Sequence, residues 1–114
     1  MTHRLVHISF MFPGVPKVLD LEPTFSKFGD WIRLSQSTWL LWSDRSALDI
    51  LGALEEAIDT QDYVFITPFS ATDFMGSQPS WVWDWLKTKA PTLVRRTENP
   101  AFFAKKLNPP RGSK

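Results

Sequence analysis

Apolar and polar positions alternate from Arg4 to Phe12. Val6, Ile8, Phe10 and Phe12 share one face, and His7 and Ser9 lie on the other, which predicts a strand ended by Pro13-Gly14 and Pro16. The period then changes. Leu21, Phe25 and Phe28 fall at helical spacing over 20–29, with Asp20 as the cap, Gly29 as the stop and Pro23 placed in the first turn. Residues 30–42 are rich in β-branched, aromatic and long apolar types. Ser35-Gln36-Ser37 divides them into strands over 30–35 and 38–42, joined as a hairpin. Ala47, Leu51, Leu54 and Ile58 next mark a helix that stops near Asp59-Thr60. Ser43 or Asp44 can cap it, and Ser46 with Asp49 offers an alternative resembling a capping box. Asp62 to Phe69 predicts a fourth strand, with Val64 and Ile66 on one face and Tyr63, Phe65 and Thr67 on the other. Residues 70–80 have the composition of a loop, and 81–86 are expected to be helical, led by Ser80 and followed by lysines.

The order β-α-β-β-α-β predicts an α+β fold: a ferredoxin-like sandwich with two helices on one face of a four-stranded antiparallel sheet. The other face is expected to carry His7, Ser9, Trp39 or Trp42, and Tyr63 or Phe65. So aromatic a sheet face requires a cover, either a partner or the tail. Residues 1–90 are assigned to this domain and 91–114 to a basic docking tail. In the tail, Thr92 to Thr97 predicts a further strand. Asn99-Pro100 starts a short helix with Phe102, Phe103 and Leu107 on its apolar side, and Pro109-Pro110 ends it. Eight residues do not hold a helix in water alone, so this one must dock.

Charge sharpens the division. The net charge of +1 hides eleven acidic and five basic residues in 1–85, a charge of −6, against eight basic residues and Glu98 in 86–114, a charge of +7. Such asymmetry points to an interacting tail. Six Trp and nine Phe let a small domain build an adequate core. With no Cys, disulfides and thiolate zinc sites are excluded, which fits a cytoplasmic setting. No apolar run approaches the ~18 residues of a membrane span, so no membrane partner is expected.

The run Phe28-Gly29-Asp30-Trp31, then Ser37-Thr38-Trp39-Leu40-Leu41 and the polar Ser43, resembles the small Cas2-like proteins, in particular those called the SinR family (unrelated to the sporulation repressor of that name). A helix ending Ile58-Asp59 followed by Asp62-Tyr63-Val64-Phe65 extends the resemblance, which covers about residues 4–86. It implies a ferredoxin-like fold, a homodimer and a setting of bacterial defence or mobile elements. Relatives that cleave nucleic acid carry an Asp at the end of the first strand, which holds a metal at the dimer interface. Here that stretch is Ser9-Phe10-Met11-Phe12. Phe and Met cannot ligate Mg²⁺, which takes oxygen donors, so family-type nuclease activity is not expected.

No other motif carries chemistry. Phosphate-binding glycine loops, a nucleophile elbow and H-E-x-x-H are all absent, so no catalytic residue, metal ligand or cofactor is assigned. His3 and His7 are four apart, but on a strand they do not share a helix face. Asp59 and Asp62, with Glu55 and Glu56, read as a solvated helix end and turn. The candidate binding residues are Lys87, Lys89, Arg95, Arg96, Lys105 and Lys106, which can neutralise phosphates or meet an acidic protein surface. The candidate aromatic interface is Trp39, Trp42, Trp81, Phe102 and Phe103. Trp81, Trp83 and Trp85 beside lysines offer base stacking, against the plainer reading of packing. The leading expectation is a non-catalytic, homodimeric Cas2-like module that binds DNA, RNA or a protein partner through its tail. The alternatives are a metal-dependent nuclease with a relocated site, using Asp20 or Asp62, and a purely structural interaction module.

Overall fold

The structure, a computed structural model, describes residues 2–70 and 76–89. The chain divides after Ala71 into two units. In the first unit, strand β1 (Arg4–Met11), helix α1 (Val18–Phe28), strands β2 (Gly29–Ser35) and β3 (Thr38–Ser43), helix α2 (Ala47–Glu55) and strand β4 (Tyr63–Phe69) follow one another. The α+β class and this element order are as expected. The strands form one sheet in the order β2-β3-β1-β4, with every neighbouring pair antiparallel.

Alternation places the core. Val6, Ile8 and Phe10 of β1, with Trp39 and Leu41 of β3, meet Leu21 and Phe25 of α1 and Ile50 and Leu54 of α2, all buried. Phe10 meets the edge of Trp39 with ring centroids 5.5 Å apart, and Phe25 lies 5.2 Å from the same indole. These three rings form the aromatic centre of the core.

Helix α1 starts at Val18, two residues before the expected cap. The carbonyl of Lys17 accepts from the N–H groups of both Asp20 and Leu21, so a further turn precedes Asp20. Asp20 therefore lies in the first turn rather than at the cap, where its charge still favours the helix dipole. Pro23 is displaced from the first turn into the helix interior. It removes the N–H that would bond the Leu19 carbonyl, and Leu19 lies on the exposed side where water can replace that bond. Gly29 follows at the junction with β2. A Cβ there would land on the Trp42 carbonyl oxygen, so only glycine lets β2 leave the helix this close to β3.

Helix α2 takes its cap from Ser46, whose side chain accepts from the Asp49 N–H at 3.1 Å. Ser43 does different work from the cap assigned to it. Fully buried, it donates to the Phe28 carbonyl at 2.7 Å and accepts from the Arg45 N–H at 3.0 Å. The helix ends at Glu55, earlier than its apolar repeat predicts, and a tight turn carries the chain on through Ala57.

In the second unit, helix α3 (Ser80–Lys89) includes the expected 81–86 stretch. Val82, Trp83 and Leu86 are buried, and Trp81 is 51% exposed. The Lys89 ammonium lies over the Trp85 ring at 5.4 Å, the i, i+4 spacing of a helix. The expected tail strand and the helix after Asn99-Pro100 lie outside the described residues, as do Arg95, Arg96, Phe102, Phe103, Lys105 and Lys106.

Candidate functional site

The face of the sheet away from α1 and α2 follows from register. Leu5 pairs with Trp42 and Phe69, His7 with Leu40 and Thr67, Ser9 with Thr38 and Phe65, and Met11 with Tyr63. Asp30 and Ile32 of β2 continue this face opposite Trp42 and Leu40. No Lys or Arg occupies these positions. At the β4 side three large side chains stand open: Met11 is 67% exposed, Tyr63 66% and Phe65 69%. Among the described residues β4 is an end strand of the sheet, and this strip lies along it.

Trp39 does not belong to this face. It is fully buried on the helix side, opposite Ile8, and its indole N–H donates to the Glu22 carboxylate at 3.0 Å. Arg33 of β2 bonds the same carboxylate oxygen at 3.2 Å. Trp39 is thus a core residue with a satisfied polar end, not an interface residue. Leu5 and Leu40 of this face are buried, and Trp42 is half-buried with the His3 ring 5.6 Å away. Trp81 is exposed on α3, while Trp83 is buried, so the helix separates the three alternating tryptophans rather than forming one stacking platform from them. Lys87 and Lys89 lie in the last turn of α3, where their charge suits the helix dipole. Met11 was not among the expected interface residues. Its signal was present in the alternation, since it shares the parity of His7 and Ser9.

At the end of the sheet where β1 leaves and β4 enters, Glu55, Glu56 and Asp59 are exposed as expected of a solvated turn, but Asp62 is not. Asp62 is buried, its side chain 2% exposed, and its carboxylate takes the Lys17 ammonium at 2.6 Å and the Asp59 N–H at 2.9 Å. Asp59 adds a second contact to Lys17 at 3.3 Å. The hydrogen bond from Lys17, and then that from the Asp59 N–H, holds the Asp62 carboxyl below the usual carboxylate range; the hydrogen bond to Asp62 raises the Lys17 ammonium in turn. The Lys17 ammonium also stands 5.6 Å from the Phe12 ring centroid. The clamp joins the β1–α1 loop to the α2–β4 turn and occupies the carboxylate that a relocated metal site would need. Among the described residues no three His, Cys, Asp or Glu side chains are grouped to hold a metal ion. Burial lowers the pKa of His7, which favours its neutral imidazole.

No family model and no curated protein matches this chain. Among solved structures it is similar to a hypothetical protein, TT1823, from Thermus thermophilus. The likeness has a TM-score of 0.50 at 21% identity and covers 68% of this chain and 95% of that one. At that identity it bears on the fold alone. Among the described residues no helix is long and apolar enough to cross a membrane.

Proposed function

We propose that this chain is a non-catalytic, Cas2-like module of the SinR kind. It acts in the cytoplasm as a homodimer and binds a nucleic acid or a protein partner through its basic C-terminal segment, in a setting of bacterial defence or mobile elements. The observation that carries the reading is the strip of Met11, Tyr63 and Phe65, apolar, open and free of cationic residues on the face opposite the helices. An acidic domain that keeps such a strip uncovered has a surface suited to protein association. The order β2-β3-β1-β4, with α1 and α2 as the crossovers, supports a ferredoxin-like assignment. The lack of a carboxylate in Ser9-Phe10-Met11-Phe12 and the engagement of Asp62 by Lys17 support the non-catalytic part.

The nucleic-acid part is tested by mobility shift of labelled single- and double-stranded DNA and RNA with the full chain, at rising salt. Cations that neutralise phosphates release counterions, so the expected shift weakens steeply as salt rises. No shift with any of the four at the lowest salt removes nucleic acid from the reading and leaves the protein partner. Incubation of the same probes with Mg²⁺ or Mn²⁺ is expected to leave them intact, and cleavage abolished by Asp20→Ala or Asp62→Ala would revive the nuclease.

A further inference from the structure

Helix α3 sorts its three tryptophans by its own period. Trp83 falls about 200° round the helix from Trp81, and it is buried with Val82 and Leu86. Trp85 falls only about 40° from Trp81 and about 6 Å further along the axis, so these two indoles share one side. Trp81 is 51% exposed, and Trp85 is half-buried with the Lys89 ammonium over its ring at 5.4 Å. We infer that this side of α3 is a stacking site for single-stranded nucleic acid, an inference that rests on the nucleic-acid reading above. An unpaired base lies on the Trp81 indole, and the phosphates of the strand run along the Lys89 flank.

Charge selects the occupant. The first turn of α3 holds no acidic residue, its last turn holds Lys87 and Lys89, and residues 86–114 carry +7, so the complement is a polyanion. Lys89 and Asp84 fall on opposite flanks of the Trp81 ring by helical period. Asp84 is exposed, and its carboxylate turns phosphates away, which leaves the Lys89 flank for the backbone. An acidic protein surface would answer the charge alone. A nucleic-acid strand answers charge and ring together, since every base presents a flat π-face and phosphates follow it at each step. The strip on the sheet face has the rings without the cations, because its strand positions hold no Lys or Arg. In a duplex the bases are stacked on one another and their faces are closed except at the ends. An open indole therefore favours single strands.

Fluorescence anisotropy of a labelled single-stranded oligonucleotide, and of the duplex of the same sequence, tests this with the full chain over a series of salt concentrations. The parent is expected to bind the single strand more tightly than the duplex. Trp81→Ala is expected to weaken single-strand binding about 5- to 150-fold, the worth of one stacked base. A ring releases no counterions, so the loss is the same factor at each salt concentration and the salt slope stays that of the parent. Trp81→Phe keeps a ring, retains most of the affinity, and lessens the quenching of tryptophan emission that the single strand causes. Circular dichroism identical to that of the parent shows both variants to be folded. A parent that binds single strand and duplex alike, or a folded Trp81→Ala that binds the single strand as the parent does, overturns the stacking site and keeps the nucleic-acid reading. Trp81→Ala that leaves this binding intact but lowers the mass in sedimentation assigns Trp81 to a contact between copies and likewise overturns it. A parent that binds neither probe at the lowest salt overturns both the site and the nucleic-acid reading.

Discussion

Two serines three residues apart, Ser43 and Ser46, should respond very differently to the same substitution. Ser43→Ala deletes one oxygen that serves two backbone groups, the Phe28 carbonyl at the end of α1 and the Arg45 N–H at the entrance to α2. The Phe28 carbonyl has no helical partner of its own. Each buried group left without a bond costs about 1–3 kcal/mol. Arg45 is exposed, so water recovers part of the loss at its N–H, and the sum settles at about 2–3 kcal/mol. Ser46→Ala removes one N-cap bond at an exposed position and costs about 1 kcal/mol. Urea unfolding followed by tryptophan fluorescence reads both. At a slope near 1–1.5 kcal/mol per M the midpoint falls by about 2 M for Ser43→Ala and by under about 1 M for Ser46→Ala. If Ser43→Ala lost no more than Ser46→Ala, the hydroxyl would not be joining α1 to α2, and the account of Ser43 would be wrong.

Glycine to alanine should change sign along the chain. Gly29→Ala pushes a methyl into the Trp42 carbonyl and costs about 1–3 kcal/mol, whereas Gly52→Ala, in open space on α2, adds about 0.5–1 kcal/mol, both read from thermal melts. Asp62 has a lowered folded pKa, so its contribution is present above the unfolded carboxylate value, about pH 4, and is lost as pH falls through the folded one. Lys17 has a raised folded pKa, so its share is present below the ordinary lysine value and is lost as alkaline pH passes the folded one. Asp62→Asn should therefore flatten the acid limb of a stability–pH profile, and an acid limb identical to that of the parent would show the clamp to be idle.

The element order and the inward face of β1 were legible because apolar positions there contrast with polar ones; on α2 the expected repeat of Ala47, Leu51, Leu54 and Ile58 included Leu54 but missed the fully buried Ile50. In β3 the contrast vanishes. Trp39, Leu40, Leu41 and Trp42 are apolar on both faces, and only pairing of Ile8 with Trp39 settles which tryptophan is inside. The start of α1 was misplaced because Asp20 looks like a cap, while the bonds that add the earlier turn go to a backbone carbonyl, which no side chain announces. Asp62 looked solvated because its partner is 45 residues away, at Lys17. Helix α3 runs beyond the expected 81–86 to Lys89, and in its last turn the Thr88 hydroxyl donates back to the Trp85 carbonyl at 2.6 Å. The open strip was half legible: Tyr63 and Phe65 were alternatives, and both are exposed.

The Glu22 carboxylate has a kinetic meaning. Its two partners, Arg33 and Trp39, belong to β2 and β3, so α1 gains its polar anchor only once those strands are aligned in the hairpin. The bonds to Glu22 therefore belong late on the folding path. Glu22→Gln should leave the folding rate nearly untouched and quicken unfolding, the behaviour of a low-φ position. Half-life, rather than the speed of assembly, is what this one side chain sets.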